Sequence, residues 1–159
     1  MEAQIRTTEE KRMVGLRLEM SLANDRTREL WGRFMARRGE IVNAVGTDLY
    51  SMQVYGPDYF KGFDAAKTFE KRALAEVTDE GEAPEGMERF VLPAGLYAVF
   101  LHKGAAATAA STFGYIFGEW LPASEYVVDD RPHFEVIGAK YKNDDLSSEE
   151  EIWVPVRAK

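Results

Sequence analysis

The chain has 159 residues, 45% hydrophobic and 30% charged, with a formal net charge of -7. That length and balance fit one ordinary domain, or two small halves sharing a core, and exclude a disordered or collagen-like chain. The acidic excess opposes sequence-independent nucleic-acid binding, and the absence of cysteine excludes disulfides, thiolate catalysis and Cys-ligated zinc.

From the N-terminus, Val14 to Met20 alternates apolar and polar and predicts a half-buried strand. Asn24 or Asp25 can cap a helix running from Thr27 to about Val42. Leu30, Trp31, Phe34, Ile41 and Val42 form its apolar stripe, and Arg33, Arg37, Arg38 and Glu40 its wet side. Leu49 to Tyr55 alternates as a strand, broken by Gly56-Pro57-Asp58. Phe69 to Val77 is another, with Ala73, Ala75 and Val77 on one face. Asp79 to Glu88 is an acidic, glycine-containing connection.

A second series follows. Phe90 to Pro93 is short and apolar, and Gly95 to His102 reads as a strand ended by Lys103-Gly104. Ala105 to Ala110 is small and helix-compatible. Phe113, Ile116, Phe117, Trp120 and Leu121 mark a helix that Pro122 terminates. Ser124 to Pro132 is a loop, His133 to Gly138 a strand, and Asn143 to Ser148 a polar turn that Glu149-Glu150-Glu151 continues into solvent. Glu151 to Val156 is the last strand, with Pro155 suggesting an edge or bulge.

Strand, helix, strand, strand is thus stated twice, at an offset of about half the chain. The first unit spans about 10–80 and the second about 90–159. One such unit is too small to bury both faces of a sheet. The expected fold is α+β, a pseudo-twofold antiparallel sheet with two helices on one face and a groove between the halves.

Glu135 is the foremost candidate for chemistry. It lies between Phe134 and Val136 on a strand that otherwise reads as buried, and its counterpart in the first unit is Ser51. The pattern alone leaves open whether Glu135 faces water or a cavity. In a cavity its carboxylate could attract a flat cation, or serve as a general acid or base. Tyr50, Tyr55, Tyr97, Tyr115, Tyr141, Trp120 and Trp153 are candidate walls. His102 could orient a ligand or simply close a strand end, and His133 could be solvated. Two histidines are too few for a His-rich metal site. No phosphate loop or serine elbow occurs, so neither metal nor cofactor is expected. The polar N-terminus and the lack of an apolar run of about 20 residues point to a soluble cytoplasmic protein without membrane contact.

The ordered series Gly95-Leu96-Tyr97-Ala98-Val99-Phe100, His102-Lys103-Gly104, Phe113-x-Tyr115-Ile116-Phe117-x-x-Trp120-Leu121-Pro122, Asp130-Arg131-Pro132-His133-Phe134-Glu135-Val136 and Glu150 to Val156 resembles the GyrI-like small-molecule-binding domain. That fold is also the effector-binding domain of AraC-type and MerR-type regulators. Val14-Gly15, Leu30-Trp31-x-x-Phe34 and Leu49 to Tyr55 extend the likeness to the first unit. The resemblance implies a groove in which Glu135 contacts cationic or flat ligands, lined by Tyr97, Tyr115, Phe117, Trp120 and Trp153. Ile137 stands where many relatives carry Tyr. About a dozen residues precede Met13, too few for a DNA-binding domain, so a stand-alone protein is expected.

The favoured reading is a binding protein for a hydrophobic or cationic small molecule. One alternative is a hydrolase of reactive electrophilic xenobiotics, with Glu135 as base and Tyr97 or Tyr115 as proton partner. Another is a protein-interaction module of the gyrase-inhibitor type, docking through its acidic surface. Monomer and dimer are both open.

Overall fold

The computed structural model describes residues 2–78, 81–105, 109–138 and 148–159. Tyr141, the turn over 143–147 and residues 106–108 of the small-residue segment lie outside the described residues.

Among the described residues, nine strands and two helices follow one another in the order β1 (Ala3–Thr8), β2 (Lys11–Ser21), α1 (Thr27–Arg37), β3 (Ala44–Val54), β4 (Thr68–Val77), β5 (Glu88–Leu92), β6 (Gly95–Lys103), α2 (from Ala109), β7 (Tyr126–Val128), β8 (His133–Ile137) and β9 (Glu149–Ala158). Helix α1 starts where Asp25 Oδ1 accepts hydrogen bonds from the Thr27 amide at 2.9 Å and the Thr27 hydroxyl at 2.6 Å. Leu30 and Phe34, one turn apart, are its buried stripe. The helix is shorter than the expected span. It tightens into a 3₁₀ turn over Arg38–Glu40, where Gly39 is a poor helix former, and Val42 is left in solvent. The second helix has regular turns over Ala109–Tyr115, a wide π turn over Ile116–Trp120, and a last turn over Leu121–Ala123. The wide turn immediately precedes Pro122, whose ring would crowd the carbonyl one regular turn back.

The strands form one antiparallel sheet in the order β1-β6-β9-β8-β3-β4-β2-β5, with β7 beside β9. The order is a palindrome of the duplication: β2 matches β6, β3 matches β8, β4 matches β9 and β5 matches β1. The central seam is the β3–β8 ladder. Two details depart from the sequence reading. The segment before Met13 is not a tail but β1, which pairs with β6 in the second half. Conversely, Phe90 to Leu92 does not open the second half's sheet. It is part of β5 and pairs with β2 of the first half. Each unit's leading strand therefore completes the other unit. The expected loop 124–132 also contains β7, and the expected acidic turn at Glu149–Glu151 is the half-buried start of β9.

Both helices cover the same face. A single row crosses the sheet through register partners Leu16, Ala73, Ser51, Glu135, Ile152 and Phe100. Ala73 packs in the core beneath α1, with Leu30, Phe34 and Val14. Ile152 and Phe100 pack in the core beneath α2, with Ile116. Ser51 and Glu135 lie between these two cores. Among the described residues, the opposite face carries no helix. Its own side chains close it, with Met13, Tyr50, Met52, Leu74, Tyr97, Val99 and Phe134 all buried.

Candidate functional site

The site is a polar strip on the helix face, at the seam between the two apolar cores. Register places Lys71 of β4 beside Gln53 of β3, Gln53 beside His133 of β8, and Ser51 beside Glu135. On β9 and β6, Glu150 pairs with His102. Sequence parity makes this strip: each of these residues occupies a slot that apolar side chains hold elsewhere along the same strand face.

Glu135 is 9% exposed. Its Oε1 accepts a hydrogen bond from Gln53 Nε2 at 3.3 Å and lies 4.0 Å from Lys71 Nζ. Burial pushes the carboxyl above its ordinary value, with Lys71 and Gln53 acting in the other direction. Glu150 is pushed up to about 7, chiefly by burial and then by the charge of Glu135. Glu135 stands on the β3–β8 ladder and is shielded from bulk water.

Aromatic rings wall one end of the strip. The Tyr55 ring meets His133 edge-on at 4.9 Å and contacts Tyr59, Phe60 and Phe69. Phe60, from the β3–β4 loop, stacks on Phe117 of the second helix at 5.6 Å and on His133 at 5.5 Å. This cluster joins the first half to the second. His133 is therefore not solvated. Burial within the rings holds its pKa down to about 3, and the imidazole stays neutral. The same burial raises the Tyr55 hydroxyl far above its usual range, and the nearby Glu135 charge adds to the effect.

The expected wall residues divide between the two faces. Tyr55 and Phe117 stand with Glu135. Tyr97 and Trp153 do not: Trp153 pairs with Phe134 and with Val99, which places it, and Tyr97 with it, on the opposite face. There Tyr97 packs on Phe134 and Trp153, and its hydroxyl donates to the Pro132 carbonyl at 2.9 Å. Tyr50 joins the same cluster. The sheet thus separates Tyr97 from Glu135, and the pairing expected of them in hydrolysis has no geometric basis. Trp120 packs within the second helix's core, on Phe100 and Tyr126, and Tyr115 packs against the same core. His102 is buried. Its Nδ1 lies 2.8 Å from Thr112 Oγ1 and its Nε2 lies 3.2 Å from the Ala105 carbonyl, so it ties the end of β6 to α2.

Lys71, Gln53 and Phe60 are not among the candidates that the sequence marks, and Glu150 is expected there only as part of a solvated turn. Lys71 could have been found: the face marked by Ala73, Ala75 and Val77, continued back by period two, places a lysine in an apolar slot. Phe60 could not, because it lies in a loop whose path no periodicity fixes.

Among the described residues, no group of three or more His, Asp or Glu side chains is placed to hold a metal ion, and no helix is long and apolar enough to cross a membrane. Residues 1–157 match the family model of the GyrI-like small molecule binding domain. The chain belongs to that family. A GyrI-like domain thus accounts for nearly the whole sequence. It is 29% identical over 150 residues to the transcriptional regulator BrlR of Pseudomonas aeruginosa, covering 91% of this chain and 51% of the regulator, so the chain spans about half the length of that relative. The GyrI-like fold superposes on SAV2435 bound to tetraphenylphosphonium (TM-score 0.71, 18% identity, 99% of this chain and 94% of that one). It also superposes on the C-terminal domain of EcmrR (TM-score 0.73, 16% identity, 99% and 98% coverage).

Proposed function

We propose that this GyrI-like domain binds an aromatic small molecule carrying positive charge, in the groove between its two helices with Glu135 as counter-charge. The observation that carries the reading is the state of Glu135. It is 9% exposed at the seam of the duplication, and the contacts of its carboxylate among the described residues are both at Oε1, with Gln53 Nε2 at 3.3 Å and Lys71 Nζ at 4.0 Å. A carboxylate taken out of water at that cost is normally matched by a cation or by several donors. The rings of Tyr55 and Phe117, packed on His133 and Phe60, make the adjoining end of the strip aromatic, the surroundings in which a flat cation is favoured. The structural likeness to a protein solved with tetraphenylphosphonium is consistent with this choice.

The test is titration with tetraphenylphosphonium and with the neutral triphenylphosphine oxide, followed by intrinsic fluorescence. Glu135→Gln keeps the shape and one acceptor but removes the charge. The expected result is at least a tenfold loss of affinity for the cation, little change for the neutral compound, and a melting temperature within a few degrees of wild type. Equal cation binding by both proteins overturns the reading.

A further inference from the structure

The polar strip contains a second charge, of opposite sign to Glu135. Lys71 projects from β4 on the helix face, and its side chain is only 10% exposed. Among the described residues no acceptor lies within hydrogen-bond distance of Nζ. Its one ionic contact is Glu135 Oε1, at 4.0 Å. An ammonium has three donors to place, and among the described residues none of the three meets a protein acceptor at hydrogen-bond distance. A lysine and a carboxylate serving only each other close to about 2.8 Å, where a charge-assisted hydrogen bond repays part of the desolvation. At 4.0 Å each side chain retains free hydrogen-bonding capacity.

The neighbouring cation, Arg72, cannot share this task. It turns to the other face of the sheet, over the Phe90 ring at 4.6 Å, and is held by Glu70 at 2.7 Å. Glu150 and Asp25 lie within the field of Lys71, so the groove keeps an acidic surround and a plain cation is still attracted. Lys71 instead governs what else the ligand carries.

Resting on the groove reading above, we propose that Lys71 and Glu135 form a two-point charge reader whose ligand is an aromatic zwitterion. The ligand's cationic end meets Glu135, its carboxylate meets Lys71, and its ring lies against Tyr55 and Phe117. Each charge of the protein then gains a direct hydrogen-bonded partner in place of the 4.0 Å ion pair.

The test uses two dyes that share one cationic xanthylium ring. Rhodamine 110 carries a free carboxylate, and rhodamine 123 is its methyl ester. Affinities are measured by fluorescence anisotropy at pH 7.5 for wild type, Lys71→Met and Glu135→Gln, with Lys71→Gln as a second variant should the methionine protein fold poorly. Because both dyes present the same cation, the acid-to-ester affinity ratio isolates the contact with Lys71 from any change in Glu135. Wild type is expected to bind the acid at least fivefold more tightly than the ester. In Lys71→Met that preference disappears. In Glu135→Gln both dyes weaken by a similar factor and the preference remains. An unchanged ratio between wild type and Lys71→Met, or a wild type that favours the ester, overturns the assignment while leaving cation binding at Glu135 standing. Failure of both dyes to bind any of the proteins removes the groove reading, and this assignment with it.

Discussion

Ser51 and Glu135 are equivalent positions in the two repeats and face one another directly across the β3–β8 ladder. On either side of them, Tyr50 meets Val136 and Met52 meets Phe134, so the flanking pairs exchange under the pseudo-twofold while Ser51 and Glu135 map onto each other. The duplication therefore breaks its own symmetry on the axis, where one small hydroxyl leaves room for one carboxylate. Directly opposed residues of antiparallel strands hold their Cβ atoms about 5 Å apart. Ser51→Asp would put two carboxylates at that spacing in a buried strip. The expected result is a loss of several degrees in melting temperature at pH 8, largely recovered near pH 5 as one group protonates. Thermal melts at the two values check this, and Ser51→Ala serves as the mild control.

His133 makes the fold sensitive to acid. Its pKa is about 3 in the folded protein against an ordinary 6.5, so the folded state holds the neutral ring and the unfolded chain takes a proton first. The associated stability is complete above pH 6.5 and is lost as pH falls from 6.5 toward 3, approaching about 1.4 kcal/mol per unit. His133→Phe is expected to flatten this part of the stability curve. The difference between the two proteins' denaturation curves, taken from pH 7.5 to 4.5, isolates the effect. Parallel curves contradict it.

Glu150 acts in the opposite sense. Its folded pKa of about 7 lies above the ordinary 4.5, so the unfolded state ionises first as pH rises. Its penalty on the fold grows from pH 4.5 to 7 and is constant beyond. Glu150→Gln is expected to raise the melting temperature by a few degrees at pH 8, with the gain vanishing near pH 4.5. A gain that is the same at both values would show that burial of this carboxylate is not its cause.

Gly15 has no room for a side chain. A Cβ built there would stand 1.8 Å from the Ala73 carbonyl oxygen, a backbone atom of the partner strand. Gly15→Ala must therefore separate β2 from β4, at a cost of about 3 kcal/mol. Urea denaturation measures it, with Gly32→Ala as control, since nothing lies within 4 Å of a Cβ at that position.

Removing the Phe60 ring exposes the stack around His133. Phe60 is itself about half exposed, so Phe60→Ala should cost little stability while admitting water to the imidazole. The His133 ring protons, followed by NMR, are expected to titrate at a higher pH than in wild type. An unmoved titration would mean that Tyr55 and Phe117 alone keep the ring dry.

The repeat, both helices and the central strands were legible because each rests on periodicity: Leu30 and Phe34 at helical spacing, Leu49 to Tyr55 in alternation. Glu135 stood out because a charge interrupted an apolar pattern and its counterpart was Ser51. Tyr97 and Trp153 were misplaced because membership of a strand does not say which face a residue takes until register links it to a neighbour, and Trp153 falls opposite Phe134 rather than Glu135. Strand β1 was missed because its pattern is weak: an edge strand with four consecutive exposed positions, Gln4 to Thr7, has no buried face to read. The aromatic end wall depends on the β3–β4 loop reaching the second helix, a tertiary contact without local signature.

The crossed leading strands carry an evolutionary consequence. A single peptide-bond cut between the units leaves each fragment without the outermost ribbon it needs and holding one meant for its sibling. An ancestor of half this length, wired the same way, would have satisfied its own edge only by lending its first strand to a twin.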